Sequence, residues 1–362
     1  MNKKALVIAL AAALTAPGAS ADVELLGKAV QIYGKLHASV DSYDRGAETA
    51  GVPKPTGVEI TSNASRLGFK GEKQLASSIN GLWKFESEID LSGESGTLSA
   101  RNRYLGMGGV WGSIILGIHD TPLKEIGSSY TLFGDTVGDR RSILGQVSNN
   151  DNQFNQRAKS MVMYQIKTAG FTGKLMYSPD FEDTNDPDTG PTGIKNKLTG
   201  AGISYRIGGF DIGAAYEKQE NIDNTAGLDA NGLRVGVQYK IGGLHVGGII
   251  ESLQDDGYGT RIARNVYGVS VSYTISDITF AGQYLKADES DLPAGSDGAS
   301  QYSVGVSYDI AKEARVYGMY SSLGNDTNAS YRLARSGHGQ AYAPTQAGET
   351  VTAFSLGVIY SF

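Results

Sequence analysis

Residues 233–252 read LRVGVQYKIGGLHVGGIIES. Leu233, Val235, Val237, Tyr239 and Ile241 alternate with Arg234, Gly236, Gln238 and Lys240. A period of two puts the apolar side chains on one face and the polar ones on the other, as in a β-strand with two unlike sides. Gly242-Gly243 then suits the positive φ of a tight hairpin turn, and a second strand returns from Leu244.

The same unit recurs. Aligned on Tyr205, Tyr239, Tyr273 and Tyr308, four such segments are spaced by 34, 34 and 35 residues. Helical repeats share that length, but the alternation inside each unit selects strands. Short turns (Gly208-Gly209, Gly242-Gly243, Ser276-Asp277, Ala311-Lys312-Glu313) lie at one end, and longer polar segments such as ADESDLPAGSDG at the other. That is an up-and-down antiparallel meander.

Extending the rule predicts sixteen strands, beginning near Val30, Ala64, Gly81, Ala100, Ser113, Ser160, Phe171, Thr199, Phe210, Leu233, Leu244, Val266, Ile278, Gln301, Ala314 and Val351. The nine prolines all fall outside strand interiors, where a missing N–H would break the ladder.

Two solutions carry such strands, a soluble sandwich and a transmembrane barrel. Strands of about 9–11 residues fit a tilted membrane crossing, whereas ordinary strands average nearer five or six. Tyr205, Tyr239, Tyr273, Tyr308 and Tyr360 stand on the apolar face near the short turns, the placement of an interfacial aromatic belt. The expected fold is therefore all-β, a sixteen-stranded transmembrane barrel whose wet face looks inward.

The chain's end supports this. In TAFSLGVIYSF, residues 352–362, the apolar positions Phe354, Leu356, Val358, Tyr360 and Phe362 run to the last residue. Chain ends normally fray, but a sheet in lipid must close on itself. The final strand is expected to zip to the first, in VQIYGKLHASV.

Residues 1–21 read as a secretory signal: Lys3 and Lys4, an apolar run from Ala5 to Leu14, and Ala19-Ser20-Ala21 before a mature start at Asp22. Residues 22–362 then form a single barrel domain. The chain has no cysteine, and without the two signal lysines it carries 30 basic against 38 acidic residues. That balance argues against nucleic acid as a partner. No apolar run after residue 21 is long enough for a spanning helix.

Several segments resemble the Gram-negative outer-membrane general porins over the whole mature chain: IYGKL from Ile32, SRLGFKGEK from Ser65, RNRYLGMGG from Arg101 and the terminal VIYSF. The resemblance implies a homotrimer of sixteen-stranded barrels in outer-membrane lipid and lipopolysaccharide, passing small hydrophilic solutes by passive diffusion. It implies that residues 92–99 latch onto a neighbour and that Phe362 signals to the outer-membrane assembly machinery. It also implies that the third long loop, Thr121 to Arg157, folds inward with Phe133-Gly134-Asp135 at its tip. Lys35, Arg66 and Arg101 match basic wall positions of the constriction. Arg103 is added by parity alone, and Asp139 joins Asp135 on the loop.

Relatives often carry an acid just before Phe-Gly, where this chain has Leu132, so the constriction is expected to lean toward anions. The rival readings are a substrate-specific sugar or anion channel, an outer-membrane barrel enzyme and an adhesin. No HExxH motif surrounds the four histidines, and DFEDTNDPDTG lacks calcium-loop spacing, so no catalytic group, metal or cofactor is assigned.

Overall fold

The structure, a computed structural model, describes residues 23–48, 55–93, 98–148, 153–182, 193–222, 225–257, 260–335 and 337–362. The proposed signal lies outside them, as do parts of the 92–99 loop and of DFEDTNDPDTG.

Sixteen antiparallel strands form the wall. They are β1 (Gln31–Asp44), β2 (Thr56–Ser62 continuing as Arg66–Ala76), β3 (Ile79–Glu88), β4 (Ser99–Gly109), β5 (Gly112–Asp120) and β6 (Arg157–Thr168). Next come β7 (Phe171–Ser178), β8 (Lys197–Ile207), β9 (Phe210–Glu220), β10 (Asp229–Ile241) and β11 (Leu244–Asp255). The circuit ends with β12 (Ile262–Ile275), β13 (Ile278–Ala287), β14 (Ala299–Asp309), β15 (Ala314–Asn325) and β16 (Val351–Ser361). Each strand pairs with its neighbours in sequence, and β16 pairs with β1 from Thr352↔Asp44 to Ser361↔Lys35. The sheet is closed.

The seam continues past Ser361. Gly34 N donates to Phe362 O at 2.8 Å and Phe362 N donates to Gly34 O at 3.1 Å. Below that point a two-residue strand, Val23–Glu24, pairs with Ile32 and Gln31. The C-terminal residue and the start of the described chain thus share one edge of β1. Gly34 is required there, because a Cβ would stand 2.5 Å from the Phe362 ring.

The wall is inside-out relative to a soluble protein. Leu233 and Val237 are 47% and 44% exposed, while Arg234 between them is fully buried. Tyr205, Tyr273 and Tyr308 are about half exposed on the outer face, and Tyr239 packs on Phe210 there. A second outer row nearer the long loops (Tyr216, Tyr267, Tyr284, Tyr302, Phe354) was not anticipated from the sequence.

Two irregularities re-aim side chains. β2 is interrupted at Asn63–Ser65, with Ala64 at φ 47°, and starts earlier than the alternation suggested. Ser65 Oγ both accepts from His37 N and donates to His37 O, so His37 keeps both backbone partners across the break. It also inverts the alternation, setting Arg66 directly opposite Lys35. In β4 the register against β3 slips, with Phe85 facing Arg103 but Ser87 facing Ala100. This is a β-bulge, in which two residues face one.

Because the outer face meets hydrocarbon, Val269→Arg at the middle of β12 should cost about 2–4 kcal/mol of unfolding free energy in lipid vesicles. Ser272→Arg, on the inner face, should be nearly neutral in the same urea titration. Equal costs for the two would contradict the assigned faces.

Candidate pore constriction

The connection from β5 to β6 is bound to the inner wall. It opens with helix α1 (Pro122–Ser129), capped by Thr121, whose side chain accepts from Lys124 N. Arg234, buried with Glu251, donates to Leu123 O at 2.7 Å. Tyr130 OH donates to Asp211 Oδ1 at 2.6 Å, Leu132 N to Gln283 Oε1 at 2.7 Å, and Gly145 N to Glu251 Oε1 at 2.7 Å. All four anchors lie on β9–β13. Leu123, Ile126, Val137, Ile143, Leu144 and Phe154 form an apolar underside against Ile249, Leu253 and Met319 of the wall. Gly236 makes room, since a Cβ there would overlap the Tyr130 ring.

The far side of the segment reaches β1 and β2. Phe133 and Asp135 both sit at positive φ, 58° and 61°, a costly conformation for residues other than glycine. Thr136 Oγ1 donates to Phe133 O at 2.7 Å and Asp135 N donates to Asp139 Oδ2 at 2.6 Å, holding the turn. It presents the Asp135 carboxylate 3.1 Å from Lys35 Nζ, 3.8 Å from Arg66 and 2.8 Å from Arg141. Arg141 also grips Asp139 at 2.7 Å. A Cβ on Gly134 would meet open space.

Burial works against ionising Asp135, but Lys35, Arg141 and Arg66 outweigh it and hold its carboxyl well below the ordinary range. Asp139 is likewise depressed, burial being overcome by Arg141. Burial pulls Arg140 down to about 10, still charged at neutral pH.

Beside this cluster on the wall, Arg101 Nε is 2.7 Å from Glu86 Oε1 and its Nη1 is 2.8 Å from Glu88 Oε2. Lys84 and the Tyr33 hydroxyl also reach Glu86, at 3.4 and 2.7 Å. Lys35, Arg66 and Asp135 are therefore brought together, with Arg101 one step along the wall. Around them, Lys35, Arg66, Lys84, Arg101 and Arg141 set five cations against the four carboxylates of Glu86, Glu88, Asp135 and Asp139.

Arg103 is different. The bulge at Arg101-Asn102 shifts the alternation, so Arg103 shares the outer face with Leu105 and Met107. Its guanidinium lies 4.3 Å from the Phe85 ring centre and donates to Ser87 Oγ at 2.7 Å. The parity expectation for Arg103 is corrected, because it assumed unbroken alternation. Tyr104 and Asn102 take the inward positions, Asn102 meeting Asp120 and Arg157. Arg141 and Tyr33 complete the cluster but were not singled out as members of it from the sequence. Parity places Tyr33 on the inward face, and Arg141 is signalled only by its clustering with Asp139 and Arg140 in one short stretch.

A family model described as Gram-negative porin matches residues 7–328. The chain belongs to the Gram-negative porin family. It is thus an outer-membrane β-barrel. The porin is 28% identical over 217 residues to a major outer membrane protein P.IB of Neisseria gonorrhoeae, covering 58% of each chain. To a P.IB of Neisseria meningitidis serogroup B it is 26% identical over 234 residues, covering 63% of each. The match therefore spans about three-fifths of the length of these curated relatives.

Among solved structures, an anion-selective porin from Comamonas acidovorans superposes with a TM-score of 0.77 at 21% identity, over 92% of this chain and 99% of that one. The trimer form of in-vitro folded OmpT from Vibrio cholerae gives 0.68 at 20% identity, over 92% and 99%. Salmonella typhi OmpF, in complex with daunomycin, gives 0.65 at 17%, over 92% and 97%. At these identities the likeness establishes the fold.

Gly236→Val should push Tyr130 off the wall and break its bond to Asp211. Limited proteolysis of the folded porin is then expected to cut within 121–157, with the barrel fragments still resistant. Unchanged protection of that segment would contradict the anchoring described.

Proposed function

We propose that this porin forms a water-filled channel for passive diffusion of small hydrophilic solutes and ions across the outer membrane. Its constriction is bordered by the basic wall of Lys35, Arg66 and Arg101 together with the loop tip of Phe133, Gly134, Asp135 and Asp139, which Asp135 ties to that wall. The observation that carries this reading is the approach of Asp135 to Lys35 and Arg66, which sets a carboxylate on the loop against cations on the wall. A sixteen-stranded barrel is too wide for side chains alone to fill, and a loop tied to the wall by ion pairs narrows it and lines the narrow point with charge.

The five paired cations, with Arg140 beside Asp139, outnumber the four carboxylates and give the site a positive excess, so the channel leans weakly toward anions. One structural neighbour is named an anion-selective porin, which fits that lean. Charges on the outer loops are screened over a length of about 10 Å at 0.1 M salt, so the local cluster dominates. The reading is of a channel and not an enzyme, on the strength of the family and of this charge layout.

The active form is a homotrimer. The outer aromatic row stops at the seam, where Phe354 pairs with Ser42 and Ser42 with Val58. Arg103 lies in the same sector, and a guanidinium facing lipid is costly unless protein covers it. A second copy packed on β1–β5 answers both features. Residues 1–21 are removed on export, Phe362 is read by the assembly machinery, and the girdle of Tyr205, Tyr239, Tyr273, Tyr308 and Tyr360 meets the lipid boundary.

Zero-current potentials across a salt gradient should give a modest anion preference, and a strong cation preference would overturn the reading. Since the Asp135 carboxyl is depressed, its tether is complete above the ordinary carboxylate value of about 3.9 and is lost only as pH falls through its lower folded value. The preference should therefore stay flat between about pH 7 and 5. Asp135→Asn should raise the anion preference throughout that range.

A further inference from the structure

Residues 326–350, joining β15 to β16, do not stand clear of the barrel. Tyr331, Leu333 and Ala334 are fully buried, and Tyr342 nearly so. Leu333 and Tyr342 exchange backbone hydrogen bonds of 3.0 and 2.8 Å, closing the segment into a turn.

The turn has two attachments. On the wall, His338 Nε2 lies 2.8 Å from Asp41 Oδ2, Gly339 N donates to Asn63 Oδ1 at 3.1 Å, and Tyr342 stacks on Tyr43 with ring centres 4.5 Å apart. On the inward loop, Arg335 Nη1 donates to Gln146 Oε1 at 3.0 Å. Gly337 lies between these contacts. A Cβ at that position would overlap Arg141 Nη2 and stand 2.5 Å from Asp135 Oδ1. The guanidinium that joins Asp135 to Asp139 occupies the space a side chain at 337 would take.

We propose that Gly337 is a positioning residue for the constriction, and that the 326–350 turn is its third side, beside the basic wall and the loop tip. By presenting bare backbone, Gly337 lets Arg141 lie flat against both carboxylates. Arg141 then offsets Asp135 from the loop side while Lys35 and Arg66 do so from the wall. Selectivity is thereby set in part by a residue some two hundred positions from the loop it acts on. The inference rests on the channel reading.

Gly337 is not in the left-handed region that disfavours side chains. What must yield is the far end of two side chains, not the main chain. Gly337→Ala is thus a local steric probe. The full-length porin, Gly337→Ala, Arg141→Gln, the double variant and the exposed control Gln346→Ala would be compared in planar bilayers, with thermal unfolding measured alongside.

Displacing Arg141 uncovers Asp135, so Gly337→Ala should lower the anion-to-cation permeability ratio by about twofold or more, with the barrel still folded and unfolding in one transition. Arg141→Gln should shift the ratio in the same direction, and the double variant should add little to it, because both changes break one contact. Gln346→Ala should match wild type. The proposal is overturned if Gly337→Ala conducts with wild-type selectivity, or if the two single effects add in full. Absence of any current through the wild-type porin would instead overturn the channel reading, and this proposal with it.

Discussion

A backbone N–H or C=O facing hydrocarbon has no water to bond, and leaving it unpaired costs several kcal/mol. Every main feature of this chain follows from meeting that demand with strands. The sheet must return to its own first edge, so the last eleven residues keep strict alternation and Phe362 bonds to Gly34. Even the stretch of β1 below the C-terminus is covered, by Val23–Glu24. Once edges are abolished, the outer face need only be apolar and the inner face is free to carry charge.

That freedom sets the interior. A circuit of sixteen strands encloses more volume than wall side chains fill, and two connections turn into it. Their attachment relies on buried charges and hydrogen bonds as well as on an apolar underside. Such pairs contribute little net stability, since desolvation offsets much of the attraction. Arg234 illustrates their other use. Bound to Glu251 and donating to Leu123 O, it fixes where the loop begins. Leu123, Phe154 and Tyr331 supply the burial, while the ionic groups supply position.

Much of this was legible in the sequence. Alternation in LRVGVQYKI, glycine turns and the spacing of the tyrosines identified strand number, order and sidedness, because each is a local property of side-chain type. The resemblance pointed to the loop tip and to Lys35 and Arg66, and the structure brings Asp135 within ion-pairing distance of both. Parity failed where the backbone departs from a plain pleat. The bulge at Arg101-Asn102 lies opposite Glu86, and nothing in RNRYL marks it, so Arg103 was placed inward. The break at Asn63–Ser65 likewise depends on a hydroxyl completing the bonds of His37. The burial of Tyr331, Leu333, Ala334 and Tyr342 was invisible because the partners of their segment, Asp41, Asn63 and Arg141, are distant in sequence and brought near only by closure.

The central claim is that one side of the sheet meets lipid and the other meets water. The chain has no native cysteine, which permits a single-cysteine scan along β12 in lipid vesicles. A polar maleimide should label cysteines at 270, 272 and 274, and quenchers fixed in the acyl chains should reach fluorophores at 269, 271 and 273. Labelling that lacks this alternation, or that shows the opposite phase, would contradict the account.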